Sequence, residues 1–162
     1  QVSDSKLRIK EKPQYRSEDI LATIRLEIVT VEKEVYSEEV NILVAPGIDG
    51  ELAILPNHAP LLTQLNAGEI KIRREDEENF ISVSGGFLEV LGNKITILAD
   101  TAERSEEIDV ERAEQAVMRA KQRIESSTSD LDLERAVASL RRSQFRAKVG
   151  RRRSTRRRRD RG

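Results

Sequence analysis

The chain has 162 residues, which is enough for one full hydrophobic core and a small second unit. It contains no cysteine, so disulfides, thiolate catalysis and cysteine-bound zinc are excluded. Its 29 basic and 29 acidic residues balance, but residues 149–162 hold eight arginines and one aspartate, which leaves an acidic remainder of 21 basic and 28 acidic residues. No apolar run approaches the roughly 20 residues that a membrane-spanning helix needs, so we expect a soluble protein whose contact with any membrane is indirect.

The first part of the chain has the pattern of β-strands. Residues 1–22 are charged, aperiodic and interrupted by Pro13, which predicts a flexible extension. From residue 23 to residue 104, apolar and polar residues alternate with a period of two, as in IRLEIVT at 24–30 and EIKIRRE at 69–75. Turn residues and acidic clusters interrupt these stretches, and about eight to ten short strands of this kind are typical of an antiparallel β-sandwich or a flattened barrel.

Residues 105–149 have a helical pattern instead, with apolar residues every three or four positions and no Gly or Pro before Gly150. Asp109 stands where a helix N-cap is expected, and SSTSD at 126–130 is short enough to connect two antiparallel helices. The predicted fold class is therefore α+β, with a β-sandwich followed by an α-helical hairpin. The apolar stripes of both helices are rich in alanine, which buries less apolar surface than leucine or isoleucine, so we expect the hairpin to be weakly held on the sandwich.

The two helical segments repeat one another at an offset of 23 residues. Residues 108–123 align with residues 131–146, and each copy places three arginines on one helical face. Two such faces could hold a polyphosphate through bidentate guanidinium contacts, or they could be solvated charges paired with nearby glutamates. The duplicated spacing favours the phosphate site, and its six arginines are Arg112, Arg119, Arg123, Arg135, Arg142 and Arg146.

Residues suited to catalysis or metal binding are scarce in the sequence. His58 is the single histidine, and it lies in a Pro-bounded loop with no nucleophile or acid–base partner beside it. We interpret it as an interface or structural residue. No phosphate-binding P-loop motif occurs, and the acidic clusters lack the Asp, Asn and Gly spacing of a calcium loop. The sequence therefore predicts neither a catalytic residue nor a metal site.

The arginine-rich segment 150–162 has two interpretations. It could bind nucleic acid or another anionic surface through counterion release, which would make the protein a nucleic-acid-binding accessory module. Alternatively it is a disordered tail with no assigned partner, which is the usual meaning of a low-complexity charge run. We favour the disordered tail and expect no nucleic-acid partner.

Several stretches carry a family resemblance: LEIVT at 26–30, GELAILPNHAPLLTQL at 50–65, ISVSGGFLEV at 81–90, ITILADTAERSEEIDVERA at 95–113 and the paired helical segments. Together they resemble the epsilon subunit of bacterial and chloroplast F-type ATP synthases. The resemblance departs from the family pattern at Ala53 and Asn57, where many members have glycine. It implies an N-terminal sandwich of about ten strands at 23–104 and a two-helix regulatory domain at 105–149, with 1–22 and 150–162 outside both.

The resemblance implies a non-catalytic subunit of the central rotor, which joins the gamma subunit to the ring of c subunits through contacts that include Glu51 and His58. Such a protein is peripheral to the cytoplasmic face of the cell membrane, as part of the complex and without direct insertion into the bilayer. In the family, the hairpin either rests on the sandwich or extends along gamma, where its basic second helix reaches the alpha/beta catalytic head and inhibits ATP hydrolysis. The residues implied in that inhibitory contact are Arg135, Arg141, Arg142, Arg146 and Lys148.

The resemblance also implies a regulatory nucleotide site. Some bacterial members bind ATP in the folded-down form through an I/L-D-x-x-R-A motif, which is present here at residues 108–113. We therefore expect no obligatory cofactor, with ATP as a regulatory ligand. The residues at matching positions are Glu103, Ile108, Asp109, Arg112, Ala113, Arg119, Arg135, Arg142 and Arg146.

Overall fold

The computed structural model describes residues 22–159, and it describes side chains as far as Arg152. The predicted flexible extension lies outside the described residues apart from Ala22, whose carbonyl oxygen accepts a hydrogen bond from Asn41 Nδ2 at 2.9 Å. Residues 160–162 of the predicted disordered tail also lie outside them.

The described residues form eight β-strands, one short 3₁₀ helix and two α-helices, in that order along the chain. The strands are β1 (Ile24–Val29), β2 (Glu34–Val40), β3 (Ile42–Gly47), β4 (Gly50–Ile54), β5 (Leu61–Arg74), β6 (Glu77–Leu91), β7 (Lys94–Ala99) and β8 (Ala102–Arg104). The 3₁₀ helix covers Ser105–Glu107, α1 covers Val110–Glu125 and α2 covers Asp130–Arg159. This succession confirms the predicted β-sandwich followed by a helical hairpin.

Hydrogen bonds join the strands in the order β2-β1-β7-β6-β5-β3-β4, with β8 paired to β6. Within the described residues these pairs are antiparallel except for β1 and β7, which run parallel. The resemblance implies about ten strands, whereas eight are present between residues 22 and 159, since β5 and β6 continue unbroken for 14 and 15 residues. Two long neighbouring strands are therefore present where the Gly and Pro residues of the sequence suggest turns between shorter strands.

Large aliphatic side chains that alternate along the strands fill the interior of the sandwich. In β1, Ile24, Leu26 and Ile28 are fully buried, while the residues between them are partly exposed. Successive side chains of a strand point to opposite faces, so alternation along the sequence becomes one buried face. Fully buried members of the same core on other strands are Leu43, Ile54, Ile70, Ile72, Leu88, Ile95 and Ile97.

Two consecutive glycines let β6 pass close to β7. Gly85 and Gly86 have φ angles of 124° and 142°, which residues with a side chain rarely adopt. A Cβ atom on Gly86 would lie 2.1 Å from the Leu98 carbonyl oxygen. The close approach of the two strands therefore requires glycine at this position.

The hairpin begins at the predicted cap. The Asp109 carboxylate accepts a hydrogen bond from the Arg112 backbone N–H at 3.0 Å, so Asp109 is the N-cap of α1. Residues 126–129 then connect α1 to α2. Inside the hairpin, small side chains occupy buried positions, namely Ala113, Ala120, Ala136 and Ala147.

Residues 150–159 of the predicted disordered tail lie in α2, which continues without a break to Arg159. The beginning of this segment is anchored: Gly150 is buried beside the start of α1, and both Arg151 and Arg152 form ion pairs with glutamates. Arginine is also a good helix former, and no proline follows that would end the helix.

Candidate functional site

The hairpin rests on the sandwich over a small apolar cluster, which we call the seat. The seat consists of Ile108, Ala113, Ala147 and Val149, which are buried, and of Phe80 from β6, which is partly buried. Phe80 is the contribution of the sandwich, and two of the other four members are alanines. Such a cluster buries far less apolar surface than the core of the sandwich, so it can open at a much smaller cost in free energy.

A charged cluster lies beside the seat. Arg146 of α2 donates two hydrogen bonds to the carboxylate of Glu103 on β8, from Nε to Oε2 and, at 2.9 Å, from Nη2 to Oε1. Their side chains are 31% and 35% exposed. The hydrogen bonds to Glu103 raise the pKa of Arg146, and the nearby Asp109 carboxylate also raises it. The cluster therefore holds one cation between two acidic groups.

A second ion pair joins α2 to the sandwich farther along the helix. Arg152 donates from Nε and Nη2 to the two carboxylate oxygens of Glu69 on β5, each at 2.9 Å. The guanidinium carbon of Arg152 lies 4.7 Å from the centre of the Phe80 ring, which is a cation–π contact. The Glu69 side chain is only 11% exposed and the Arg152 side chain 37%, so the carboxylate, but not the guanidinium group, is more enclosed than in the first pair.

Five of the nine residues predicted to bind ATP are brought together at this place. Ile108 and Ala113 lie in the seat, and Glu103, Asp109 and Arg146 form the charged cluster beside it. Apolar contacts and charged groups thus meet at one end of the hairpin, next to the sandwich.

The other four predicted nucleotide ligands are arginines with exposed side chains. Arg112 lies at the same end of the hairpin, since its backbone N–H binds the Asp109 carboxylate. Arg119 lies about two turns along α1, and Arg142 lies about one turn from Arg146 along α2. The structure therefore leaves these three side chains accessible, with Arg112 and Arg142 nearer to the charged cluster and Arg119 about 15 Å along α1 from Asp109.

The fourth of these arginines, Arg135, lies elsewhere. It lines a cleft of about 320 Å³ at the connecting end of the hairpin, together with Arg123, Asp132 and the hydroxyl-bearing residues 126–128. Eleven residues of α2 separate it from Arg146, which corresponds to about 16 Å along the helix. The structure does not bring Arg135 to the charged cluster.

The two predicted rotor contacts lie at opposite ends of β4. Glu51 is exposed at the second position of the strand. His58 is partly buried in the loop after the strand, where its backbone N–H donates to the Leu55 carbonyl oxygen at 3.2 Å. Its Nδ1 atom lies 2.7 Å from the Ala59 carbonyl oxygen. Local hydrogen bonds thus fix the position of His58 in the loop.

The residues predicted to contact the catalytic head lie along α2. Arg146 is engaged with Glu103, as described above. The side chains of the others are exposed, and these are Arg135, Arg141, Arg142 and Lys148. The basic surface of α2 is therefore open to solvent except where Arg146 meets the sandwich.

Sequence reasoning missed three residues of the site, namely Glu69, Phe80 and Arg152. Glu69 resembles any polar residue of a half-exposed strand, and Arg152 resembles any member of a charge run. Their contact joins positions 83 residues apart, and no local pattern indicates a partner at that distance. The one available signal is the apolar pair Val149 and Gly150, which marks burial immediately before the arginines.

Among the described residues, no three histidine, aspartate or glutamate side chains are grouped so that they could hold a metal ion. Between residues 22 and 159, no helix is both long enough and apolar enough to cross a membrane.

The β-sandwich and the docked helical hairpin each match a domain of one family, the delta/epsilon class of subunits. Residues 23–105 match the family described as ATP synthase, Delta/Epsilon chain, beta-sandwich domain. Residues 106–150 match the family described as ATP synthase, Delta/Epsilon chain, long alpha-helix domain. The two matches follow one another without a gap and cover most of the chain.

Relatives make the assignment more specific. The ATP synthase epsilon chain of Desulforamulus reducens is 52% identical over 118 residues, which cover 73% of this chain and 89% of the relative. The epsilon chain of Dehalococcoides mccartyi is 50% identical over 138 residues, which cover 82% of this chain and 96% of the relative. This chain belongs to the epsilon-chain family of F-type ATP synthases, whose members are non-catalytic subunits of the complex.

Two solved structures share the fold. One is the cryo-EM structure of Euglena gracilis mitochondrial ATP synthase, OSCP/F1/c-ring in rotational state 1, with a TM-score of 0.69, 22% identity and coverage of 89% of this chain and 92% of the other. The other is the central stalk/c-ring of Tetrahymena thermophila mitochondrial ATP synthase, with a TM-score of 0.60, 21% identity and coverage of 78% and 95%. At these identities the likeness concerns the fold alone.

Proposed function

We propose that this subunit is part of the central stalk, where its sandwich joins the gamma subunit to the c ring. Family membership supports this role, and so does the fold shared with chains of assemblies that contain a central stalk and a c ring. In this arrangement the subunit lies at the cytoplasmic face of the cell membrane, held there by its partners. The exposed Glu51 contacts polar loops of the ring, and the loop of His58 lies near the rotor partners. Charge complementarity at such a surface sets register more than affinity.

The hairpin is the regulatory part of the subunit in this proposal. The observation that carries the proposal is the way in which the hairpin meets the sandwich, through Phe80, Glu69 and Glu103 instead of the large aliphatic core. A contact surface of this kind can open while the sandwich stays folded. We therefore expect two positions of the hairpin, docked on the sandwich and extended away from it.

In the extended position, the basic side of α2 reaches acidic segments of the alpha/beta catalytic head and blocks ATP hydrolysis. The exposed cations of α2 support this, because they need no rearrangement to meet an acidic surface. Arg146 is released from Glu103 when the hairpin undocks, and it then joins the same surface. The cations concerned are Arg135, Arg141, Arg142, Arg146 and Lys148.

ATP binds the docked position in this proposal, as a regulatory ligand that is not hydrolysed. The arginines at 112, 119, 142 and 146 receive the phosphates, because guanidinium groups suit bidentate contact with phosphate oxygens. Glu103 and Asp109 accept hydrogen bonds from the ribose or from the amino group of the base. Arg135 acts at longer range, since it lies at the other end of the hairpin.

The size of the seat makes such a ligand effective. A ligand that binds only the docked form stabilises it by RT ln(1 + [L]/Kd), which is about 2.7 kcal/mol at a hundredfold excess over Kd. For two positions that differ by a few kcal/mol, this free energy decides which one predominates. The hairpin would thus respond to ATP concentration without consuming ATP.

Calorimetric titration of the full chain with ATP tests this proposal. We expect the parent to bind ATP and the Arg112→Ala, Arg119→Ala double variant to bind it about a hundredfold more weakly, because two charge-assisted hydrogen bonds are lost. The matched control is Lys121→Ala, Arg141→Ala, which removes the same charge from the two helices outside the arginine faces and is expected to change the affinity less than about threefold. Equal affinity of the parent and the Arg112→Ala, Arg119→Ala variant would contradict the proposed site.

A further inference from the structure

Arg152 contacts the sandwich from a position beyond the segment that matches the long alpha-helix domain of the family. The matched helical domain ends at residue 150, whereas Arg152 is two residues farther along α2. This residue nonetheless makes a two-point hydrogen bond with Glu69 and lies over the Phe80 ring. The extension of α2 thus contributes a contact of its own to the docking of the hairpin.

The geometry of this contact distinguishes it from an ordinary surface ion pair. Glu69 is 11% exposed, and both of its carboxylate oxygens are satisfied by one guanidinium group at 2.9 Å. Exposed ion pairs contribute little, but a planar, bidentate pair whose carboxylate is largely buried is stronger. The aromatic face of Phe80 adds a second favourable contact for the same cation.

The neighbouring residues hold Arg152 in this position. Gly150 is packed so closely against the start of α1 that a Cβ atom would lie 2.8 Å from Ile108 Cγ2 and 2.9 Å from Val110 Cγ2. Arg151 pairs with Glu114 of α1 at 3.1 Å. The end of the seat is therefore fixed relative to α1, and Arg152 projects from it onto the sandwich.

We propose that Arg152 is a latch residue, which keeps the hairpin docked by holding Glu69 and Phe80 of the sandwich at once. The latch rests on the proposed function in one respect, namely that the hairpin leaves the sandwich. Undocking separates Arg152 from Glu69 and brings both into water, so the latch favours the docked position without preventing release. Because the contact is electrostatic, salt weakens it.

The absence of cysteine from the sequence allows a direct measurement of undocking. Val149 is fully buried in the seat, so a Val149→Cys reporter reacts with a small thiol reagent only when the seat opens. In this background, Arg152→Gln and Glu69→Gln are each expected to raise the labelling rate about tenfold, since each breaks the same charge-assisted pair. The double variant should exceed neither single variant by more than about threefold. Added salt should accelerate labelling of the parent more than labelling of the variants, in which only the Arg146–Glu103 pair is left to be screened.

Two controls separate the latch from other effects. Arg151→Gln removes the same charge from the adjacent residue, whose pair with Glu114 lies within the hairpin, and is expected to change the rate less than about threefold. A Val90→Cys reporter, buried in the sandwich core, should label at the same slow rate in every variant. Equal rates for Arg152→Gln and Arg151→Gln would overturn the latch, as would faster labelling of Val90→Cys in Arg152→Gln.

The same experiment distinguishes the latch from the regulatory proposal. ATP is expected to slow the labelling of Val149→Cys whether or not the latch is intact. If ATP slows labelling and Arg152→Gln has no effect, the latch is wrong and the regulated hairpin stands. If Arg152→Gln accelerates labelling and ATP has no effect, the latch stands and the nucleotide site is wrong.

Discussion

The sandwich and the hairpin bury apolar surface in different ways. The sandwich core consists largely of Ile, Leu and Val side chains, many of them fully buried. The hairpin buries alanines, and its seat adds only Ile108, Val149 and part of Phe80. Because the favourable free energy scales with the apolar area removed from water, we expect separation of the hairpin to cost less free energy than unfolding of the sandwich.

The ion pairs within the sandwich also differ from those that join the hairpin to it, in both their exposure and their geometry. Ion pairs of the sandwich, such as Arg73 with Glu78 and Arg74 with Glu38, lie on its surface with both partners about half exposed. The pairs that hold the hairpin are bidentate and less exposed. The docking of the hairpin thus depends more on charged contacts, which anions and salt can replace, than on a large apolar core.

The largest expected effect is on the sandwich core. Ile97→Ala should lower the free energy of unfolding by about 2–5 kcal/mol, because a fully buried side chain leaves a cavity. Val149→Ala removes a smaller side chain from the seat and should lower the free energy of undocking of the hairpin by about 1–2 kcal/mol. It should leave the free energy of unfolding of the sandwich unchanged. Urea denaturation measures the first change, and hydrogen exchange of α1 and α2 measures the second.

The contrast between a stable sandwich and a weakly held hairpin would be contradicted if both substitutions lowered the stability of the sandwich. A loss of sandwich stability in Val149→Ala as large as that in Ile97→Ala would mean that the hairpin is an integral part of one core.

A smaller effect is expected at high pH, where the sandwich should lose stability while the ion pairs of the hairpin keep their charge. Tyr36 is buried in the sandwich and donates a hydrogen bond to Glu38, and burial with the adjacent carboxylate raises its pKa to about 12. Since the unfolded value is about 10, the neutral phenol stabilises the fold fully below pH 10. We expect a loss of about 1–2 kcal/mol as the pH rises from about 10 towards 12. Urea denaturation across this range measures it.

The control for this prediction is Tyr36→Phe, which should lose less stability between pH 10 and 12 than the parent. The pairs of Arg146 and Arg152 keep their charge in this range, because hydrogen bonds to Glu103 and Glu69 raise the pKa of both arginines. Parallel decline of the parent and of Tyr36→Phe would contradict the assignment to this phenol.

The smallest expected effect concerns the start of α1. Asp109→Ala removes the N-cap and should cost about 1 kcal/mol, seen as faster hydrogen exchange of the first turn of α1 and of the seat. Ser129→Ala is the matched control, because the Ser129 hydroxyl accepts from the Asp132 backbone N–H at the start of α2, far from the sandwich. Equal acceleration of hydrogen exchange in the seat by Ser129→Ala and by Asp109→Ala would contradict the prediction, because the N-cap of α1 would then stabilise the seat no more than the N-cap of α2 does.

The local features of the fold were predictable, and the long-range ones were not. Alternation in β1 predicts which side chains are buried, and the Asp109 cap and the alanine stripes predict the hairpin. The parallel pairing of β1 with β7 was not predictable, because strand order is set by contacts between distant segments. The continuity of β5 through residues 61–74 was also not predictable, because Pro60 before the strand and Gly68 within it are typical of turns between shorter strands.

The candidate site shows the same division. The motif at residues 108–113 and the repeated arginines indicate which residues are special, and the structure brings Arg146 to Glu103. The placement of Arg135 in a separate cleft follows from the antiparallel packing of the helices, which the short connection at 126–130 predicts although the repeated arginine spacing does not. The contact of Arg152 with Glu69 depends on the register of α2 on the sandwich.

Native-state hydrogen exchange of the full chain, with and without ATP, tests the central claim most directly. The amides of α1 and of residues 130–149 should exchange through an opening that costs several kcal/mol less than the opening of β5 and β6, and ATP should slow exchange in the hairpin alone. Exchange of both regions with the same free energy of opening would contradict the account, because the hairpin would then leave the sandwich only when the whole protein unfolds.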